Sequence, residues 1–268
     1  MLEARNNIYY HSNVKVDMND PISRLLSIMA TLRDKDKGCS WDLAQDFASI
    51  APYTIEEAYE VADAIERQEM NELKEELGDL LFQVVFHSHM AEEAGHFAFN
   101  DVANAISEKM ESRHPHIFAD AHGKMDEGRW EALKAKERAD KGSTSALEGV
   151  AKSLPALSRS DKLQKRAARV GFQWPDLAGP MEKLSEELEE LADAKTDEER
   201  IMEAGDVLFV VVNILRRYGV DPEQALRASN GKFETRFQGM EALAGGSIDG
   251  LSLEQQEILW QKVKKTED

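Results

Sequence analysis

Apolar residues recur at helical spacing through most of this chain. From Pro21 to Arg33, Ile22, Leu25, Leu26, Met29 and Leu32 stand three and four residues apart, the stripe of an amphipathic helix. Thr54 is placed to cap the next helix, with Glu57 three residues on completing a capping box. A long helix is predicted from Asn71 to about Ala94. It opens acidic, then turns apolar on nearly every side through Leu80–Phe86, and Val207–Leu215 does the same. A helix apolar all round must be covered all round. It is the centre of a bundle, or a seam against another bundle or a second chain. The predicted fold class is all-α.

The chain also matches itself. Gly38-Cys-Ser-Trp41 corresponds to Gly171-Phe-Gln-Trp174, and Thr54–Glu60 to Leu184–Glu190. Glu76-Leu-Gly-Asp-Leu-Leu-Phe82 corresponds to Glu203-Ala-Gly-Asp-Val-Leu-Phe209. Lys109 and Arg113 correspond to Lys232 and Arg236, and the segment around Trp130 to that around Trp260. The offset stays between 123 and 133 residues. Ordered features at a near-constant offset indicate a tandem repeat. One repeat is expected at 19–138 and the other at 154–268. The Gly- and Ser-bearing stretch 139–153 reads as a linker. Residues 1–18, polar and without helical period, read as a flexible N-terminal extension or as the lead-in to Met18 as an alternative start.

Charge narrows the function. The formal net charge is −18, from 33 basic and 51 acidic residues, which argues against a nucleic-acid partner, since such proteins need a basic face. An anionic substrate would need a metal and a few placed cations. The longest apolar run, Val207–Val212, is too short to cross a bilayer, so no membrane association is expected. Cys39 is the only cysteine. It is expected to be a buried structural thiol, in a protein of the reducing cytoplasm.

The acidic residues carry the chemistry. Glu57, Glu60, Glu76 and Asp79 form one set, and Glu187, Glu190, Glu203 and Asp206 the other. Each reads Glu-x-x-Glu, a gap, then Glu-x-x-Asp. Residues three apart share a helix face, so two paired helices would aim four carboxylates at one spot. Converging carboxylates repel unless a cation joins them. All-oxygen ligands select Mg²⁺, Mn²⁺ or Ca²⁺. Ferritin-like iron sites use a Glu-x-x-His pair, and no histidine fills that position here. His87 and His89 lie two turns beyond Asp79 and read as core or interface residues. Gly78 and Gly205, beside the acids, weaken each helix by about 1 kcal/mol and leave room for a close approach. Lys232 and Arg236 are one turn apart, suited to gripping phosphate.

Glu-Glu-x-x-Glu followed by Glu-x-Gly-Asp resembles the MazG family of nucleoside triphosphate pyrophosphohydrolases, in its two-repeat bacterial form. Gly38–Asp42, Ile50–Thr54, Glu76–Phe86 and Arg113–Phe118 carry the same resemblance. It implies two MazG-type helical bundles, assembled as a homodimer. It implies Mg²⁺-dependent hydrolysis of nucleoside triphosphates to monophosphate and pyrophosphate, with Mn²⁺ as the alternative metal. Carried onto this chain, Glu187, Glu190, Glu203 and Asp206 would bind metal. Lys183, Lys232 and Arg236 would hold the phosphates beside Glu186 and Glu187, and Trp260 would lie near the base or sugar. Glu186 would orient or deprotonate the attacking water. Tyr53 holds the place of Lys183 in the first repeat, so the second repeat is expected to be the main site. Family members often carry a lysine seven residues before the final Asp; here it is Glu199, with Arg200 beside it as a substitute.

Overall fold

The computed structural model describes residues 20–119, 127–140, 142 and 144–266; the expected extension at 1–18 lies outside them. The described residues form helices and turns, with no strand among them. The chain divides into two compact units, with the boundary between Leu133 and Lys134.

In the first unit, α1 (Pro21–Leu32) starts with Asp20 accepting a hydrogen bond from the Ser23 N–H and with proline at its first position, a pre-set start. The short α2 (Ser40–Ala44) leads into α3 (Phe47–Arg67) and α4 (Met70–Glu93). These two long helices pack as a hairpin, and α1 lies against α4. Met29, Ile50, Val85, Phe86 and Met90 make the core between them. Arg33 closes one end of it. Its guanidinium pairs with Glu93 at 2.7 Å, lies over the Phe86 ring and donates to the Asp42 carbonyl. The unit continues through α5 (Phe99–Arg113), α6 (Pro115–Phe118) and α7 (Glu127–Asp140), within which the boundary falls.

Two expectations are overturned here. Thr54 does not cap a helix: α3 begins seven residues earlier, at a reciprocal box between Asp46 and Ser49. That box satisfies the first-turn donors, and burial of Ile50 anchors the turn that follows, so Pro52 is carried inside the helix despite its missing N–H. The Thr54 hydroxyl instead lies 3.0 Å from His87 Nε2, whose ring stacks on Phe47. Cys39 is exposed, not buried. It precedes α2 in a turn where its N–H reaches the Leu32 carbonyl, so backbone bonding fixes the position and the side chain is left in solvent.

The second unit follows the same plan with α8 (Ala156–Arg169), α9 (Ala178–Asp193), α10 (Asp197–Arg217), α11 (Pro222–Ala244) and α12 (Leu253–Lys264). α9 and α10 form the hairpin, α8 packs on α10 and α11, and α12 packs on α11. One packing detail differs. Seven residues past Asp79 the first unit buries Phe86; seven past Asp206 the second buries Asn213. The Asn213 amide donates to Gln164 at 2.7 Å, and Gln164 donates to the Phe209 carbonyl at 2.8 Å. The α8–α10 seam is therefore held by hydrogen bonds where its counterpart is apolar.

The apolar runs of α4 and α10 are not covered on every side within their units. Val85, Phe86, Val210 and Val212 are buried, but Val84 and Leu208 are 36% and 55% exposed. No helix among the described residues is long and apolar enough to cross a membrane.

Candidate active site

The site of the second unit is built on the α9–α10 hairpin. Lys183, Glu186, Glu187 and Glu190 stand on α9, and Glu203 and Asp206 on α10. A three-residue turn joins the helices, and α10 starts at a full capping box. Thr196 Oγ1 accepts from the Glu199 N–H, and the Glu199 carboxylate accepts from the N–H groups of Thr196 and Lys195. Those bonds hold the Glu199 carboxyl below its ordinary pKa. They also explain why a glutamate stands where a lysine was looked for: it anchors the helix start. Arg200 pairs with the exposed Asp197 at 2.6 Å.

Glu187, Glu203 and Asp206 each bring a carboxylate oxygen within 4.8 Å of the others. Glu187 is buried, Glu203 half-buried and Asp206 exposed, so the cluster opens to solvent on one side. Glu190 stands outside this set of three but feels it. Its pKa is raised, first by desolvation; Lys183 works against the rise, and the charges of Glu187 and Glu203 add to it. The Lys183 ammonium lies 2.7 Å from Glu186 and 2.8 Å from Glu187. Its own pKa is raised by the hydrogen bonds to Glu186 and then Glu187. Glu186 is exposed and held through Lys183, one residue round the helix from the cluster. The donor set of three close carboxylates, one buried, fits a hard divalent cation such as Mg²⁺ or Mn²⁺.

Lys232 and Arg236 lie on α11, with Lys232 exposed. Arg236 stacks its guanidinium over the Trp260 ring of α12 at 5.5 Å, and Phe233 packs on the same ring at 5.8 Å. The first unit repeats the arrangement: Arg113 lies over Trp130 at 5.1 Å, and Glu57, Glu76 and Asp79 bring oxygens within 4.8 Å. There the Glu57 and Glu76 pKa values are both raised, chiefly by desolvation and then by neighbouring carboxylates. Tyr53 supplies no cation, and its ring meets Trp41 edge-on at 6.2 Å.

Trp174, a marker of the repeat in the sequence, lays its indole where a side chain at Gly179 would stand: a Cβ at 179 would come within 2.1 Å of the ring. Gly179 is one helical turn before Lys183. Only the folded chain brings the two together.

Known proteins resemble this chain over most of its length. The model of the MazG nucleotide pyrophosphohydrolase domain matches residues 45–118, and that of phosphoribosyl-ATP pyrophosphohydrolase matches 163–230. The nucleoside triphosphate pyrophosphohydrolase of Escherichia coli (strain K12) is 49% identical over 257 residues, spanning 92% of this chain and 98% of the relative. The nucleoside triphosphate pyrophosphohydrolase/pyrophosphatase MazG of Thermotoga maritima is 44% identical over 243 residues, spanning 90% and 94%. Bacillus subtilis YabN is 41% identical over 255 residues, 91% of this chain and 52% of that longer protein.

Proposed function

This chain belongs to the MazG family of nucleoside triphosphate pyrophosphohydrolases, and on that premise we propose that it hydrolyses nucleoside triphosphates to monophosphate and pyrophosphate, mainly at its second repeat. The observation that carries the reading is the meeting of Glu187, Glu203 and Asp206 beside Lys183 on one hairpin. Both matched domain models are named for pyrophosphohydrolases, a class that cleaves between the α- and β-phosphates.

Glu187, Glu203 and Asp206, with Glu190 at their edge, hold Mg²⁺ or, in its place, Mn²⁺. Bound there, the cation neutralises charge on phosphate oxygens and lowers the pKa of water. Lys183, Lys232 and Arg236 bind the phosphate chain. Trp260 fixes the Arg236 guanidinium by its ring face and borders the sugar or base. Glu186 orients the water that attacks the α-phosphorus and takes its proton; its hydrogen bond from Lys183 keeps it aimed. Such an enzyme clears unwanted triphosphates or trims the nucleotide pool. It works as a homodimer in the cytoplasm.

The test is an assay of pyrophosphate, resolved from orthophosphate, with Mg²⁺ and a panel of triphosphates. Wild type is expected to release pyrophosphate and monophosphate. Asp206→Ala should lose at least about 100-fold in kcat, while Asp79→Ala keeps most of the activity. Orthophosphate and diphosphate as products would refute the chemistry. Equal losses in the two variants would refute the assignment to the second repeat.

A further inference from the structure

Helix α8 runs against the charge of the chain. The protein holds 51 acidic residues against 33 basic, yet the 14 residues of α8 carry five cations and one acid, Asp161. At about 100° per residue, Lys165, Arg169, Lys162, Arg166 and Arg159 all fall within about 120° of the helix circumference. They make one continuous basic face. Lys162, Lys165 and Arg169 are exposed, and Arg159 and Arg166 are half-buried. Asp161 lies at the edge of that arc and is buried. One of its oxygens is 2.8 Å from Lys165, and the other has no hydrogen-bond partner.

The end of α10 adds to this face. Gln164 meets Asn213 across the α8–α10 seam. Three residues back along α8 stands Asp161, and three residues on along α10 stands Arg216, which feels the Asp161 charge. The two helices therefore run antiparallel, and the last turn of α10 adjoins the basic face. Arg216 and Arg217 stand in that turn. Both are half-buried, and the Nε of each is enclosed without a hydrogen-bond partner, as is that of Arg159. Desolvation, and then the charge of Arg217, lower the Arg216 pKa. Cations in a last turn complement its free carbonyls, which accounts for a charge at that place. It does not account for two adjacent, partly desolvated guanidiniums beside a helix face with five further cations. Such an arrangement repels itself until an anion joins it.

We propose that the basic face of α8, with Arg216 at its edge, is a second anion site that binds inorganic pyrophosphate, apart from the carboxylates. Arg216 is ten residues beyond Asp206 on α10, about 15 Å at 1.5 Å per residue, so the two sites do not share a ligand. Guanidinium forks and lysine point charges suit phosphate oxygens. The size of the anion follows from the charge of the whole chain. Charges are screened over about 8 Å at physiological salt, so a compact anion feels the local face, whereas a long polyanion would lie over the acidic remainder. Helix α8 carries no aromatic residue, so the face offers no ring on which a base would stack, and a bare phosphate chain is the ligand that fits. Pyrophosphate is the product of the reaction argued above, and the choice of this ligand rests on that reading.

Titration calorimetry of sodium pyrophosphate, at low salt and with chelator present, isolates this site, because metal-free carboxylates repel the anion. Wild type should bind, and Lys162→Glu and Arg216→Gln should each weaken binding at least about tenfold. Lys232→Ala, on the catalytic side, should stay within twofold. AMP, with a single phosphate, should bind at least about tenfold more weakly than pyrophosphate. Lys162 is exposed, so its variant keeps the test standing should Arg216→Gln not fold, and its kcat for pyrophosphate release should stay within twofold of wild type. Absence of metal-free binding would overturn the proposal, as would loss in Lys232→Ala with none in Lys162→Glu. AMP binding as tight as pyrophosphate would overturn the ligand assigned. A single-stranded oligonucleotide that binds in place of pyrophosphate, and is lost in Lys162→Glu, would give the face to nucleic acid and overturn it too. Failure of the wild type to release pyrophosphate from triphosphates would instead overturn the function, which the binding measurement does not touch.

Discussion

At the scale of single residues, the site is a balance of like charges. Glu57, Glu76 and Glu190 all have pKa values above the ordinary 4.5, with desolvation the first cause in each. A carboxyl whose pKa is raised on folding binds more protons folded than unfolded. Its contribution to stability is present at low pH and is lost as pH rises through the folded value. The metal-free protein should therefore lose melting temperature as pH rises from about 4.5 through the raised values. Mg²⁺ should restore it at neutral pH, because a cation takes over the protons' task. Melting curves against pH, with chelator and with Mg²⁺, check this; a metal-free melting temperature that rises across that window, or no gain from Mg²⁺, would count against it. The acids themselves were legible in the sequence, since Glu-x-x-Glu and Glu-x-x-Asp spacing alone predicts their shared faces. The order within the set was not. That Glu187 is buried while Asp206 is open, and that Glu190 stands aside from the closest three, depends on how α9 and α10 pack. Side-chain exposure of Cys39 was missed for the same reason: composition sets how often cysteine is buried, but the backbone of one turn decides the case.

At the scale of helices, periodicity predicted α1 and α4 nearly to the residue, because long apolar stripes leave little freedom. Helix starts were less legible. Thr54 and Glu57 offered a capping box, but the helix is capped eight residues upstream, by Asp46 and Ser49. Pro52 lies inside the helix so started, and the buried Ile50 anchors the turn that carries it. Glu199 shows the converse, a departure from the family's lysine that local structure accounts for. Least legible was the polar seam of the second unit. Asn213 looks unremarkable within its apolar run, and Gln164 lies 49 residues away. Gln164→Ala would strip the Asn213 amide and the Phe209 carbonyl of their partner inside the seam. Buried polar groups left unpaired cost about 1–3 kcal/mol, so a loss of about 2 kcal/mol is expected in denaturant unfolding. Because Asn213 shares α10 with Asp206, local loosening should also lower activity. A loss well under 1 kcal/mol would mean that water replaces the glutamine amide without cost.

At the scale of the whole molecule, both hairpins leave apolar residues uncovered on the helices that carry the acids. Leu77 and Val84 of α4, and Ile201, Leu208 and Phe209 of α10, are exposed on the same helices as buried core residues. The sequence called for cover on all sides of these runs, and each unit by itself supplies only part of it. Scattered apolar exposure needs no explanation, but Leu77 with Val84, and Ile201 with Leu208, stand seven residues apart and so expose apolar side chains along one helix face. A second copy of the chain is the cover proposed. Leu208→Glu would place a charge in that interface, where an unpaired ion is strongly disfavoured. Sedimentation velocity should find the wild type dimeric at micromolar concentration, and the variant monomeric or at least tenfold weaker in association. The acids of α10 lie two to five residues from Leu208, so a dimer seam there would stiffen the helix that aligns Glu203 and Asp206. Activity of the variant should then fall at low protein concentration and recover as concentration rises. A wild-type monomer with full activity would show that each hairpin holds its carboxylates in register unaided, and would leave the exposed apolar residues to some other partner.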